Sequence, residues 1–550
     1  MSCFFLCGRE LLPQLTMSTF GERWPALLSV IVVALCAVAP VWSTIKFLED
    51  YWWRPMMMRR ILMKQGLEGP APSFMVGNMH EISRIKDEIA ATDMEVGDHD
   101  IMSRVCAYYC KWAEKYGKRF IFWWGIEPRI TVTEPEIIKE ILATKAGHFG
   151  KSPLQQKGGV ALLGNGLIMA NGEDWAHRRR IVSRAFQLEK LKGMAASMVN
   201  STNQMLEKWD PLIRNQGGKE VEIDVYQQLA MVTADVIART AFGSSYEQGK
   251  KVFELLRSLQ KIFARSNRFV WLPGSRFLPT PINRKVSFLK SQIASSLEEI
   301  VQARRQSMGT AGTTASSYGN DLLGLMLAES AGSSTPGNSK SFKFSTQELV
   351  EECKTFFFVG HETTLILLTW TMMLLALHPE WQEKARKEVR EICKGKDPDA
   401  DMLSKFKTVG MILNESLRLY TPAPVLVREA FKDMKLGDMF IPKGCTFWIP
   451  ILAIHHDASL WGPDPKEFRP DRFADGVAKA CKRSTDFMPF SFGPRACVGQ
   501  TFATMEAKII LSMVLQRYKF RLSPSYRHAP VTSITIKPKY GMQLIVQHAA

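Results

Sequence analysis

Ten consecutive residues, Phe490-Ser491-Phe492-Gly493-Pro494-Arg495-Ala496-Cys497-Val498-Gly499, constrain this chain more than any other stretch. They set one cysteine on a glycine-bounded loop, behind paired phenylalanines and ahead of an apolar helical run at 501–515. A sulfur held at a helix N-terminus gains from backbone N–H groups and from the positive end of the helix dipole, which predicts a lowered thiol pKa and a metal-ligating thiolate. The two glycines permit the turn and the close approach of a flat ligand. Arg495 is placed to meet a carboxylate carried by that ligand. The competing reading is a buried structural cysteine on a glycine-rich turn. Four matching partners around Cys497 argue against it.

Bulk properties narrow the classes. The chain has 550 residues, 46% of them apolar, and a formal net charge of +17 from 71 basic and 54 acidic side chains. Length alone would suggest several domains, but nothing in the middle reads as a linker, so one large helical enzyme domain is expected. The positive charge suits an anionic membrane surface or an acidic protein partner. Nucleic acid is the rival partner, and no nucleic-acid-binding motif appears, so none is expected. The ten cysteines show neither a paired framework nor a zinc pattern. That places the catalytic part in a reducing compartment.

Residues 24–45 form a 22-residue run without a charge. As a helix it would span about 33 Å, enough to cross a bilayer. Lys46, Arg54, Arg59, Arg60 and Lys64 follow it, with Trp52 and Trp53 as interfacial anchors, whereas Arg9 and Arg23 alone precede it. The positive-inside rule puts the bulk of the chain in the cytosol. A cleaved signal peptide is the alternative, but the run is long and lacks a small-residue cleavage site. The expected organisation is an extension at 1–23 (with Met17 a second possible start), an anchor at 24–45, a basic Pro-containing linker at 46–72 and one domain at 73–550.

Beyond Pro72, helical periodicity marks 102–116, 135–146, 175–207, 223–242, 247–265, 284–308, 345–377, 379–393 and 404–420. Short strand-like pieces pair as 120–124 with 129–132, 439–441 with 446–449, and 532–537 with 543–546. The fold class is therefore mainly α with small peripheral β-sheets, preceded by a single N-terminal transmembrane helix. Stretches 309–319 and 332–341, rich in Gly, Ser and Thr, read as surface loops. The apolar helix at 355–377 is long enough for a second membrane span. However, it carries Gly360-His361-Glu362-Thr363-Thr364, which suits a helix kinked or bulged beside a ligand cavity.

The pattern F-x-x-G-x-R-x-C-x-G at 490–499 resembles the haem-binding loop of the cytochrome P450 superfamily, and the rest of the chain is similar to that superfamily at further motifs. The resemblance implies haem b with Cys497 as the iron ligand, and Phe490, Gly493, Arg495 and Gly499 as the cofactor loop. Val359-Gly360-His361-Glu362-Thr363-Thr364 resembles the central-helix motif A/G-G-x-D/E-T-T. By that likeness Glu362 and Thr363 relay protons for dioxygen activation and Gly360 leaves room for the oxygen, while Val359 departs from the usual small residue. Glu415-x-x-Arg418 and Pro470-Asp471-Arg472-Phe473 resemble the family's E-x-x-R and P-x-R-F pair, implying a structural ion triad of Glu415, Arg418 and Arg472. Trp175 and Arg179 match W-x-x-x-R, which meets a haem propionate, and Arg428 fills a second propionate position; Arg178 and Arg180 read as solvated surface bases.

The resemblance further implies an NADPH–haemoprotein reductase as electron donor, docking near the basic face that carries the cysteine loop. It also implies a small-molecule substrate and an endoplasmic reticulum membrane location with the catalytic domain cytosolic. Substrate contacts are expected from 152–169, 263–277, 357–364, 421–427 and 529–534. Alternatives to a monooxygenase are a dioxygen-independent haem-thiolate isomerase and a non-catalytic haem binder, both at odds with an intact Glu362-Thr363-Thr364. The stretches 354–376, 166–175, 273–279 and 526–541 resemble a plant clan that oxidises hormones and terpenoids. The last of them looks most like the cytokinin hydroxylases, which act on the prenyl side chain of isopentenyladenine nucleotides. Hydroxylation of a gibberellin, brassinosteroid, triterpenoid or fatty acid is the alternative.

Overall fold

The computed structural model describes residues 38–549 apart from 39, 216, 218–219, 245, 266–274, 310–320, 331–343 and 533. Two compact units emerge, Met1–Arg60 and Ile61–Ala550. In the first, residues 40–48 are helical and run into a π-turn at Glu49–Trp53. Trp42, Trp52 and Trp53 are exposed there, and the Lys46 ammonium lies 5.0 Å from the centre of the Trp42 ring. The expected anchor at 24–45 lies outside the described residues except for 38 and 40–45. So do nearly all of the loops expected at 309–319 and 332–341.

The second unit is helical with small sheets at its margins. Seven helices position the site: α1 (Pro153–Leu163), α2 (Gly172–Ala185), α3 (Val225–Phe242), α4 (Tyr246–Arg265), α5 (Thr346–Leu377), α6 (Lys407–Leu419) and α7 (Gln500–Arg517). Local chemistry sets their ends. Ser152 with Gln155 and Ser345 with Glu348 form reciprocal capping boxes that start α1 and α5. Asp224 caps α3 at one end, and Gly243 in the left-handed region stops it at the other.

Helix α5 is the axis of the core. It is apolar and long enough to cross a membrane, but 78% of its apolar window is buried inside the protein, so it is a core helix. It is α-helical throughout, without the π-bulge that its polar centre suggested, and its threonine hydroxyls bond back along the helix: Thr363 Oγ1 donates to the Val359 carbonyl at 2.9 Å and Thr369 to Leu365 at 2.7 Å. Helix α3 packs alongside it. A Cβ on Gly360 would sit 2.7 Å from the Ile237 side chain, so the missing side chain lets α3 lie against α5.

Strands are β1 (Ile121–Trp124), β2 (Glu127–Thr131), β3 (Phe149–Gly150), β4 (Val221–Asp224), β5 (Leu426–Ala430), β6 (Met434–Leu436), β7 (Met439–Ile441), β8 (Thr446–Ile449), β9 (Tyr518–Leu522), β10 (Pro530–Thr532), β11 (Ile536–Pro538) and β12 (Gln543–His548). The order β1-β2-β8-β5-β3 makes one sheet, with β2 and β8 parallel. Two expected pairings are corrected. Strand β7 pairs with β6 across a tight turn at Gly437, while β8, buried along its whole length, joins β2 and β5. Strand β11 pairs with β10 to form the β10–β11 hairpin, while β12 pairs with β4 and β9. The helix expected at 175–207 is two helices, α2 and Leu188–Leu206, and that at 102–116 breaks at Cys106.

Candidate active site

Cys497 sits between a short 3-10 turn, Gly493–Arg495, and the start of α7. Its backbone N–H donates to the Phe490 carbonyl at 2.8 Å, closing the loop. Gly493 has φ +73°, and a side chain there would collide with the Leu142 carbonyl, so the loop is locked against the π-turn Glu140–Thr144. The Gly499 N–H points at the sulfur and Arg179 lies near it; both lower the thiol pKa, yet burial outweighs them and pushes it up. The net depression expected from the loop is therefore not realised in the protein alone.

Cys497 nonetheless has an exposed surface. A group that is both crowded by protein atoms and open along one side can take a ligand from that side.

Cations gather near the cysteine loop. Arg179 Nη1 donates to the Ala496 carbonyl of the cysteine loop at 2.8 Å. Arg495 stacks its guanidinium over Trp175, 4.4 Å from the ring centre, and donates to the Ala170 carbonyl at 3.0 Å. Trp175 thus holds Arg495, whereas Arg179 reaches the loop. Arg428, on β5, is buried and donates to the Val427 carbonyl at 2.9 Å.

Lys151 completes the group and was not found from sequence. The Asn171 side chain pins its backbone, accepting from its N–H at 2.9 Å and donating to its carbonyl at 2.9 Å. Burial together with Arg428 and Arg495 pushes the Lys151 ammonium well below the usual lysine range. Arg428 and Arg495 are both pushed down to about 10, chiefly by burial.

Among the described residues no carboxylate forms an ion pair with Arg179, Arg428, Arg495 or Lys151. Such charges are costly to bury uncompensated. An anionic planar ligand carrying two carboxylates, ligated through Cys497, satisfies both the cations and the sulfur, so the residues present fit haem.

Glu362 and Thr363 follow one another on α5. Thr363 is half-buried with its hydroxyl hydrogen spent on Val359. Glu362 is 3% exposed, and one of its oxygens takes three donors: Lys537 Nζ at 2.6 Å, Thr535 Oγ1 at 2.8 Å and Gln260 Nε2 at 3.1 Å. Glu506 on α7, nine positions after Cys497, was also missed; it is fully buried beside the Thr364 hydroxyl, and burial raises its pKa well above the carboxylate range.

Glu415, Arg418 and Arg472 come together, with Arg418 Nε 2.7 Å and Arg472 Nε 3.4 Å from the Glu415 carboxylate. Arg178 is not a solvated base. It is 3% exposed and binds Asp174, Glu348 and Glu352 at 2.6, 3.0 and 2.9 Å, tying α2 to α5. Arg180 is exposed.

Residues 95–544 match the family model Cytochrome P450. Two proteins of Arabidopsis thaliana, each called Cytokinin hydroxylase, are 46% identical to the chain over 90% of its length and 94% of theirs. Cytochrome P450 734A6 of Oryza sativa subsp. japonica is 41% identical over 92% of the chain and 94% of its own length.

Proposed function

The chain belongs to the cytochrome P450 family and is a haem-dependent monooxygenase, and from that premise we propose that it hydroxylates the prenyl side chain of an isopentenyladenine-type cytokinin. The observation carrying the substrate is the 46% identity to two cytokinin hydroxylases along nearly the full length of both partners. For the cofactor, the carrying observation is the exposed Cys497 beside a group of cations that no carboxylate pairs among the described residues.

In this reading Cys497 would hold the haem iron as its thiolate, and the Gly499 N–H directed at its sulfur would steady the charge on it. Haem ligated in this way supplies the oxygen chemistry able to functionalise an unactivated C–H bond. Arg179, Arg428, Arg495 and Lys151 hold the two propionates, with Trp175 bracing Arg495. Gly360 lets α3 close against α5. Glu362 and Thr363 move protons: Glu362 collects them, and Thr363, its hydrogen spent on Val359, accepts through its lone pairs until the hydroxyl rotates. Electrons arrive from an NADPH–haemoprotein reductase docking at the basic face behind the cysteine loop. Residues 24–45 anchor the chain in the endoplasmic reticulum membrane with residues 73–550 in the cytosol.

The test is product formation in microsomes carrying the chain and a plant reductase, supplied with NADPH. A mixed panel would hold isopentenyladenine riboside phosphates, a gibberellin, a brassinosteroid, a triterpenoid acid and a fatty acid. Hydroxylation of the prenyl group is expected, and oxidation of another panel member alone refutes the substrate. Cys497→Ala should abolish the thiolate-type carbon monoxide spectrum; an unchanged spectrum overturns the ligand assignment.

A further inference from the structure

Glu362 is gripped from three directions. Lys537 lies on β11 and Thr535 just before it, so both come from the β10–β11 hairpin; Gln260 comes from α4, one turn after Arg257. All three donors converge on Oε1. Oε2 has His361 Nε2 at 3.9 Å, beyond hydrogen-bond reach. His361 cannot supply the missing bond, because its Nδ1 lies 2.7 Å from the Phe357 carbonyl, which fixes the ring proton there and leaves Nε2 as an acceptor. The hairpin is itself fastened to α5 two turns further on, where Trp370 Nε1 donates to the Ile536 carbonyl at 2.8 Å.

Charge and access sort these contacts. The Lys537 side chain is 17% exposed while that of Glu362 is 4%, so the lysine stands between solvent and the carboxylate. The titratable groups facing Glu362 are Lys537 from the hairpin, Arg257 from α4, Tyr226 from α3 and His361 from α5. Burial raises the Tyr226 pKa and lowers that of His361, which leaves both neutral near pH 7. Burial alone would also protonate Glu362, yet its pKa lies below the usual value, with Lys537 the first of the groups that pull it down.

We propose that Lys537 is a positioning residue of the proton relay: with Thr535 and Gln260 it clamps one oxygen of Glu362, keeps the buried carboxylate charged, and leaves the other oxygen as its single proton-transfer point. This rests on the relay role proposed for Glu362. A carboxylate so held acts first as an acceptor. It takes a proton at Oε2 from a hydronium ion of the solvent, which leaves as water, becomes the neutral acid, and returns to the carboxylate when that proton passes to the Thr363 oxygen, whose own hydrogen moves on to the proton acceptor of the reaction. Lys537 stays an ammonium throughout, so charge and protons balance. Because the clamp is built from α4 and the hairpin, displacement of either element frees Oε1 and changes the proton affinity of Glu362.

Infrared spectra of the ferric holoenzyme, in the wild type, Lys537→Met, Lys537→Arg, Glu362→Gln and the double variant Lys537→Met/Glu362→Gln, test this without turnover. Lys537→Met should gain a protonated-carboxyl band at pH 7 that disappears in the double variant, while Lys537→Arg, which keeps the charge, should lack it. The carbon monoxide spectrum identifies folded protein, and Lys537→Gln replaces the Met variant if that one fails to accumulate. Absence of the band in a folded Lys537→Met or Lys537→Gln enzyme overturns the clamp.

Peroxide released per NADPH is read in parallel. Lys537→Met should lose at least about tenfold in coupled product, the lower end of what proton transfer contributes being larger still, and Lys537→Arg should recover most of it. If Glu362→Gln stays as well coupled as wild type, the relay reading fails, whatever the infrared result says of the clamp.

Discussion

Arg418 is the position where one substitution should cost most. The Glu415 and Arg418 side chains are both 0% exposed. All five guanidinium hydrogens are used: Nε and Nη2 donate to the two Glu415 oxygens at 2.7 and 2.8 Å, Nη1 to the carbonyls of His455 and Pro465 at 2.8 and 2.6 Å, and Nη2 again to Glu467 at 3.1 Å. Arg418→Met leaves Glu415 as a buried charge held by Arg472 at 3.4 Å and the Arg469 N–H at 2.9 Å, a loss of about 3–5 kcal/mol for the broken pair. Two buried carbonyls, of His455 and Pro465, lose their donors at about 1–3 kcal/mol each, and the half-buried bond to the Glu467 carbonyl is lost as well. The total rivals the whole stability of a folded protein, about 5–15 kcal/mol. Arg418→Met should therefore yield no haem-loaded protein by carbon monoxide spectroscopy.

Arg418→Lys keeps the charge but has three donors for five acceptors. It should fold with a loss of about 2–6 kcal/mol in urea unfolding, from two unsatisfied acceptors. The double variant Glu415→Leu/Arg418→Met removes the stranded charge and should be less destabilised than Arg418→Met. Wild-type accumulation of Arg418→Met, with a stability change within about 0.5 kcal/mol as at an ordinary surface site, would refute the reasoning.

Other outcomes follow from the same structure. Ser491 holds φ +65° in the cysteine loop, and its hydroxyl has no hydrogen-bond partner among the described residues; a left-handed non-glycine costs about 1–2 kcal/mol, so Ser491→Gly should raise the melting temperature without changing the carbon monoxide spectrum. Lys151→Met removes one cation from the group near the cysteine loop; losing one charge-assisted hydrogen bond of about 1.5–3 kcal/mol should weaken haem retention roughly ten- to hundredfold, measured by transfer to a haem-scavenging protein. Glu506 has a folded pKa raised well above its unfolded value. The unfolded state therefore loses that proton first, and stability falls as pH rises above the unfolded value of about 4.3. Glu506→Gln should remove this slope and melt higher than wild type at pH 7–8, but not at pH 4.

The parts of the site legible in the sequence are those whose partners lie within a few residues or within a fixed motif. Cys497, Gly493 and Arg495 share one loop, and Glu415 faces Arg418 one turn along α6. Lys151 carried no such signal. It precedes the Ser152 cap like any solvated lysine, and only the packing of β3, β5 and the Asn171 side chain turns it inward. Arg178 misled in the opposite sense, since its three carboxylates include Glu348 and Glu352, some 170 positions away on α5. Strand pairing failed for a related reason. The segment 439–441 was matched to the next strand-like run, whereas the turn at Gly437, φ +57°, folds it back on Met434–Leu436.

The polar centre of α5 shows why motif and environment must be read separately. From sequence, Gly360-His361-Glu362-Thr363-Thr364 argued for a distorted helix, because a glycine and a carboxylate inside an apolar helix each cost stability. The structure removes both costs by tertiary means. Gly360 is where α3 comes within contact of α5, so the missing side chain is repaid in packing. Glu362 keeps its charge because a lysine 175 positions later, on the last hairpin, arrives within 2.6 Å. Helical hydrogen bonding then needs no interruption. A variant that loosens that hairpin while sparing every residue of the motif, such as Trp370→Phe, which deletes the 2.8 Å bond to Ile536, should therefore disturb proton delivery more than haem binding. Peroxide leakage with an unchanged carbon monoxide spectrum is the expected result, and a fully coupled Trp370→Phe enzyme would show that the hairpin holds its place without that bond.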